Sequence, residues 1–501
     1  MGRLRSPGAA LAALAGAQFT VMLATSIVNV ALPQIRAGTG ISDGAVTWVV
    51  NAYGLAFGAL LPVGGRAADL LGRRRVLAAG VALFAVASLA AGLATAPAPL
   101  IAARAVQGVA AAVIAPAALA LAMTQFPGGP GRGRALGVWG AVSGAGGAGG
   151  VLLGGLLTQG WGWPWIFHSV ALGSVLVLAA VTFLVPPEAA RPSPRKAAAG
   201  PGQRAGQRVG QRAGEPGGGF DLPGTLTITL ALTCLVWGLT TARGAGWGDG
   251  GVLGALAAAV ALLTAFVVIE RRRPDALIPP GLLATGRVAA GNVLMALLGS
   301  VWIALFFFLP LYQQQVLGSG PLATGAGQLP LAAANMLGAT LAPRLARRVG
   351  STATTAAALL TEALGLLWLS RIDADGGYLT DILGPSLLVG LGLGIAFVQL
   401  TALAVDGVPA WQAGLAGGLV NTTRQVGGAV GLAVLTTLAG SVTATAHGSH
   451  PEALTAGYRA AFAVSAAVLT GTALLAVLLA RCTGRRKATA APGAVRTEPA
   501  V

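Results

Sequence analysis

The chain has 501 residues, 55% of them apolar and only 9% charged, with a formal net charge of +17. Soluble domains carry about 25% charged residues, so lipid is the expected solvent for most of this chain. Its two cysteines, Cys234 and Cys482, are far apart and offer neither a metal-ligand spacing nor a disulfide framework.

The first element follows Arg3 and Arg5. Its apolar run continues to Leu32 and ends in Pro33-Gln34-Ile35-Arg36, with no cleavage-like segment. It is therefore expected to stay as the first span rather than leave as a signal peptide. A spanning helix needs ~20 mainly apolar residues. By that measure spans are expected near 10–32, 46–64, 76–95, 100–123, 135–157, 165–185, 223–241, 251–269, 288–311, 323–342, 352–370, 382–404, 413–439 and 459–480. That is an all-α polytopic membrane protein with about 14 transmembrane helices, its termini on the same side.

Between spans 2 and 3 lies Gly65-Arg66-Ala67-Ala68-Asp69-Leu70-Leu71-Gly72-Arg73-Arg74-Arg75. Such a basic run cannot enter lipid, and Gly65 and Gly72 are expected to permit a tight turn. Pro343 to Gly350, between spans 10 and 11, resembles a worn copy. Arg347 stands where Asp69 does and Gly350 where Gly72 does. Such internal repeats are common in secondary transporters.

With the N-terminus in the cytoplasm, roughly 26 Arg and Lys fall in inner segments and roughly 4 in outer ones, as the positive-inside rule requires. The net charge thus reads as topology and contact with anionic lipid at the inner face, not as nucleic-acid binding. The Gly/Gln/Arg-rich stretch within 186–221 is expected to be a disordered basic cytoplasmic linker, and 481–501 a disordered tail.

Ionised residues inside spans are functional candidates by default. Arg104 keeps its charge and could hold an acidic partner, a substrate anion or backbone carbonyls, or simply tie helices together. Glu362, a carboxylate deep in span 11, could exchange a proton or be a structural contact; Arg424 is a possible partner for it. Asp406 reads equally as a gate residue or a solvated loop acid. Asp69, Arg73 and Arg74 read as a conformational switch or a plain topological anchor. Gly144, Gly146, Gly147, Gly149, Gly150, Gly154 and Gly155 make span 5 a surface for close helix packing between bundles. Asn29, Gln107, Asn292, Trp302, Phe306, Asn335, Gln399 and Asn421 are candidates to line a substrate cavity. There is no Gly-x-x-x-x-Gly-Lys-Ser/Thr phosphate loop, so no direct use of ATP is expected. His447 and His450 are read as loop residues and no metal is expected.

Several segments together resemble the major facilitator superfamily, specifically its fourteen-span drug:proton antiporter branch. They are residues 65–75, Leu100 to Gly108 around Arg104, Gly144 to Gly155, Ile27 to Pro33, Leu311-Tyr312-Gln313 with Gly318 and Pro321, and Asn421 to Gly428. The resemblance implies a six-helix bundle over 1–185, two extra helices within 222–285 and a second six-helix bundle over 286–480. It implies span 11 in an outer ring, away from the central cavity. It also implies no enzyme activity, but proton-coupled efflux of a hydrophobic or amphiphilic drug or antibiotic by alternating access. A monomer in a bacterial cell membrane, with both termini cytoplasmic, is expected. Two positions depart from the pattern: Ala24 stands where an aspartate is usual, and Val151 where a proline is. The missing carboxylate motivates a second reading, an uncoupled facilitator or importer of a small solute.

Overall fold

The computed structural model describes residues 6–42, 45–126, 129–186, 222–272, 286–406, 408 and 413–489, and no strand occurs among them. The first half comprises α1 (Pro7–Thr39), α2 (Thr47–Leu71), α3 (Arg73–Gly92), α4 (Pro97–Gln125), α5 (Gly129–Trp161) and α6 (Pro164–Leu184). Then come α7 (Leu222–Ala245) and α8 (Gly250–Arg272). The second half has α9 (Gly286–Gln315), the short α10 (Pro321–Gly327), α11 (Leu329–Val349) and α12 (Ser351–Leu369). A π-helical turn (Tyr378–Leu383) leads into α13 (Gly384–Ala404), followed by α14 (Ala413–Thr445) and α15 (His450–Thr489).

Ten described helices are long and apolar enough to cross a membrane, and α2 and α7 add the shorter apolar stretches Thr47–Leu61 and Leu226–Leu239. With α5 and the α10–α11 pair these fill the fourteen places read from the sequence. Leu172, Val175, Leu176 and Phe183 on α6, and Leu474 and Leu478 on α15, stay exposed. A bilayer solvates such a surface; water would not.

Local chemistry sets the helix ends. Ser6 accepts the Ala9 N–H at 3.2 Å and Pro7 opens α1, while Gly40, at φ 68°, closes it. Proline also stands in the first turn of α4, α6, α10, α11 and α13, where its missing N–H costs nothing.

The two halves repeat one packing scheme. In the first, α1 packs on α5, α2 on α4, and α3 on α4 and α6. In the second, α9 packs on α14, α11 on α13, and α12 on α13 and α15. The repeat reaches single residues. Gly72 (φ 96°, ψ 121°) joins α2 to α3, and Gly350 (φ 88°, ψ 152°) joins α11 to α12. A side chain at either φ is strained, so glycine makes both corners.

The corner differs from the turn expected over 65–75. α2 runs on through Gly65, Arg66, Ala67 and Ala68 to Leu71, so Gly65 lies inside a helix and Gly72 alone turns the chain. Ala68 is buried in the core, which extends the helix past the apolar run. The Asp69 side chain lies outside the described residues. So do residues 187–221, 273–285 and 490–501, on which most of the linker, part of the 222–285 unit and most of the tail were read.

Candidate functional site: a charged seam between the halves

Arg104 is 1% exposed on α4. Its Nε donates to the Val49 carbonyl at 2.8 Å, and its Nη1 to the Ala24 carbonyl at 3.3 Å and to Gln107 Oε1 at 2.9 Å. Gln107 donates onward to Ser88 Oγ at 2.7 Å. One guanidinium thus ties α4 to α1 and α2, and through Gln107 to α3. Its Nη2 is buried without a hydrogen-bond partner. The Arg104 Cζ lies 4.4 Å from the centre of the Tyr53 ring, a cation–π contact. The Tyr53 hydroxyl donates to the Val21 carbonyl at 3.0 Å and accepts from Thr25 at 3.4 Å.

Arg424 approaches from the other half, on α14. Its Cζ lies 5.1 Å from the Trp302 ring centre, and Trp302 meets Phe397 edge-on at 5.3 Å. Nη2 donates to Asn421 Oδ1 at 3.5 Å, while Nε is buried without a partner. Arg424, Trp302 and Phe397 are all partly exposed. A guanidinium in a span turns toward the bundle interior or a wet cleft rather than lipid. Next to these two sites, a Cβ on Gly54 of α2 would stand 3.6 Å from Gln425 Nε2 of α14.

The halves meet along two lines. At α2–α14, Thr422 donates to the Gly58 carbonyl at 2.8 Å. A Cβ on Gly58 would stand 2.6 Å from Gln425 Cβ. At α5–α10, a Cβ on Gly155 would run into the Pro321 carbonyl, and one on Gly325 would stand 2.6 Å from the Val151 carbonyl. Beside this second line Gln314 donates to the Val30 carbonyl at 2.8 Å, and Gln159 Oε1 accepts the Leu322 N–H at 3.1 Å. The Gln314 and Gln159 contacts lie near the helix ends on the side of the α1–α2 turn. α7 covers the α2–α14 line with Leu232 and Val236 against Leu55, Ala429 and Ala433.

Over residues 14–432 the chain matches the family model of the Major Facilitator Superfamily. The chain belongs to it. It is 41% identical over 465 residues to the cephamycin export protein of Amycolatopsis lactamdurans, covering 92% of this chain and 90% of that one. It is 39% identical to the puromycin resistance protein of Streptomyces alboniger, covering 94% and 90%. It is 35% identical to the tetracenomycin C resistance and export protein of Streptomyces glaucescens, covering 87% and 76%. Among solved structures, an auto-inhibited POT family peptide transporter superposes with a TM-score of 0.68 at 16% identity, covering 98% of this chain and 99% of that one. At that identity the likeness is one of fold. The protein is a multi-pass membrane transporter with bacterial relatives, a member of a transporter family rather than an enzyme family.

The remaining predicted residues fall into place unevenly in this transporter. Arg104 lies over the Tyr53 ring and Arg424 over the Trp302 ring, but Glu362 joins neither. It sits on α12, fully buried, with both carboxylate oxygens lacking a hydrogen-bond partner. Against it packs α13, where a Cβ on Gly392 would stand 2.8 Å from Glu362 Cβ. Gln107 positions Arg104 and is fully buried rather than lining a cavity. Gln399 bridges α11 and α12, donating to the Ala342 carbonyl at 3.0 Å and accepting from Ser351 at 2.9 Å, so it too is a tie. Asn292 accepts from Thr423 at 3.1 Å, joining α9 to α14 beside Arg424. Asn421 contacts Arg424, and Asn29 is buried with Oδ1 unpartnered. Phe306 and Asn335 are partly buried.

The glycine row corrects one expectation. A Cβ on Gly146 would stand 2.8 Å from Met22 Cβ, on Gly150 2.7 Å from the Leu23 carbonyl, and on Gly154 2.5 Å from the Ile27 carbonyl. These three pack α5 onto α1 within one half. Gly155, with a Cβ that would run into the Pro321 carbonyl, and Gly144, with one 3.8 Å from Met336, are the members of the row that meet the other half. In the loop region, Arg74 donates to the Thr182 carbonyl at 2.6 Å, tying α3 to α6. Arg73 lies at the start of α3. Asp406 pairs with Arg287, joining the end of α13 to the start of α9. Tyr53 was missed by the sequence reading; its signal was a lone aromatic hydroxyl in an apolar span.

Proposed function

We propose that this transporter exports an amphiphilic antibiotic or related natural product across the cytoplasmic membrane by alternating access. The observation that carries the reading is the seam itself. Two pseudo-symmetric halves touch chiefly along α2–α14 and α5–α10, with the partly exposed Arg424 beside Trp302 and Phe397 near the first of these lines. The export and resistance functions named for its relatives support the outward direction. With both termini cytoplasmic, the contacts at Val30–Gln314 and Gln159–Leu322 lie on the outer side, and the chain is held inward-facing. Rocking about the two seams would expose the cleft to the other face.

The proton motive force is the proposed energy source, with Glu362 the buried carboxylate available to exchange a proton. Ala24 keeps a second reading in view. Arg104 bonds a backbone carbonyl there instead of a carboxylate, so uncoupled facilitation is the alternative. Everted vesicles from a pump-deficient host carrying the gene separate the two. Uptake of antibiotics that stops when pH gradient and potential are collapsed is the expected result. Counterflow that persists unchanged in de-energised vesicles supports the facilitator instead.

A further inference from the structure

The charges at the seam are unbalanced. Arg104 is satisfied by two main-chain carbonyls and an amide oxygen, and Arg424 by one amide oxygen at 3.5 Å. Each also keeps a buried nitrogen with no acceptor: Nη2 of Arg104 and Nε of Arg424. Among the described residues no carboxylate pairs with either. Glu362 is held on α12 against α13, and Asp406 is taken by Arg287. Asp69 is sixteen residues along α2 from Tyr53, ~24 Å by helix rise. Position 24, on the turn of α1 that faces Arg104, is alanine, so the only thing it offers the guanidinium is its carbonyl.

Buried positive charges in a span without a counter-ion are costly, and an anion arriving beside the partly exposed one relieves that cost. The two arginines divide the work. Arg104 is fully enclosed and held by three hydrogen bonds, so it acts through its field. Arg424 is partly exposed beside the Trp302–Phe397 pair, an aromatic shelf beside a guanidinium. That pairing suits a ring-bearing molecule with an acidic group and repels an amine of the same shape.

Resting on the export reading, we propose that the substrate carries a carboxylate or equivalent oxyanion on an apolar body, received directly by Arg424 while the enclosed Arg104 adds its positive field.

The test uses the purified full-length protein in nanodiscs and three fluorescent probes with one aromatic body: 1-pyrenebutyrate, its methyl ester and 1-pyrenebutylamine. A guanidinium–carboxylate hydrogen bond predicts that the acid binds about tenfold more tightly than the ester, with the amine weakest. Arg424→Gln is expected to erase the preference for the acid over the ester and Arg424→Lys to retain part of it. An amine-first ranking, equal binding of acid and ester, or no binding of the acid overturns the proposal. The wild-type ranking decides even where Arg424→Gln does not fold. Preferential binding of the acid, with no antibiotic uptake in energised everted vesicles carrying the same protein, leaves the site standing and sinks the export reading alone.

Discussion

Thr422 on α14 donates its hydroxyl to the main-chain carbonyl of Gly58 on α2, across 364 positions of sequence. The bond is possible because Gly58 has no side chain, since a Cβ there would press on Gln425. Closure at this seam therefore depends on a hydrogen. Gly58→Val is expected to disfavour the observed arrangement by about 1–3 kcal/mol, the usual cost of overpacking. Cysteine pairs placed across α2 and α14 should cross-link less efficiently in this variant. Unchanged cross-linking would remove Gly58 from the closure contact.

Gln107 is assigned to holding Arg104 rather than to touching substrate. Gln107→Ala leaves Arg104 Nη1 with the Ala24 carbonyl alone and takes from Ser88 Oγ the N–H it accepts. A loss of about 1–3 kcal/mol of stability is expected, read as a lower melting temperature of the purified protein. Direct substrate contact would instead weaken binding without moving the melting temperature.

Ala24→Asp places a carboxylate on the turn of α1 that already contacts Arg104. The expected outcome is a reversal of charge preference, with 1-pyrenebutyrate binding weakened and 1-pyrenebutylamine binding strengthened. Opposite charges in a dry site pair strongly, so the effect should exceed that of a surface charge. Retention of acid selectivity in Ala24→Asp would count against an electrostatic origin for it.

The α5 glycines offer a built-in control. Gly150→Ala drives a methyl toward the Leu23 carbonyl and Ser26, whereas Gly147 faces open space within 4 Å. Gly150→Ala should lower the amount of folded protein in the membrane, and Gly147→Ala should leave it unchanged. Similar yields from both would show that α5 and α1 are not packed this closely.

Glu362→Gln keeps the volume of the side chain and removes the exchangeable proton. Under proton coupling, protein amount and probe binding stay normal while drug resistance and pH-driven uptake in everted vesicles disappear. Full retention of pH-driven uptake in Glu362→Gln would reduce Glu362 to a packing residue on α12.

Much of the scaffold was legible because lipid imposes a length and a polarity on every span. The fourteen apolar stretches, the two buried arginines and the Gly72–Gly350 correspondence could all be read from residue type and spacing. Faces were harder. A soluble helix marks its buried side by polarity contrast, but in a bilayer both protein and lipid are apolar, so that contrast fades. The glycine row shows the consequence. Its spacing signalled close packing, yet nothing in it distinguished α1 from the opposite half as the partner. Likewise Gln107 and Gln399 looked like cavity residues, because an amide in a span reads the same whether it meets a ligand or another helix.

By itself the sequence determined a membrane-embedded helical protein with a repeated glycine corner, since the cost of burying charge in hydrocarbon keeps its cationic runs out of the spans. Only the tertiary structure decided that Arg104 lies over Tyr53 and Arg424 over Trp302 while Glu362 joins neither. That decision belongs to helix packing: which residues share a seam depends on how the two halves dock, and close van der Waals approach at Gly58 and Gly155 sets the docking.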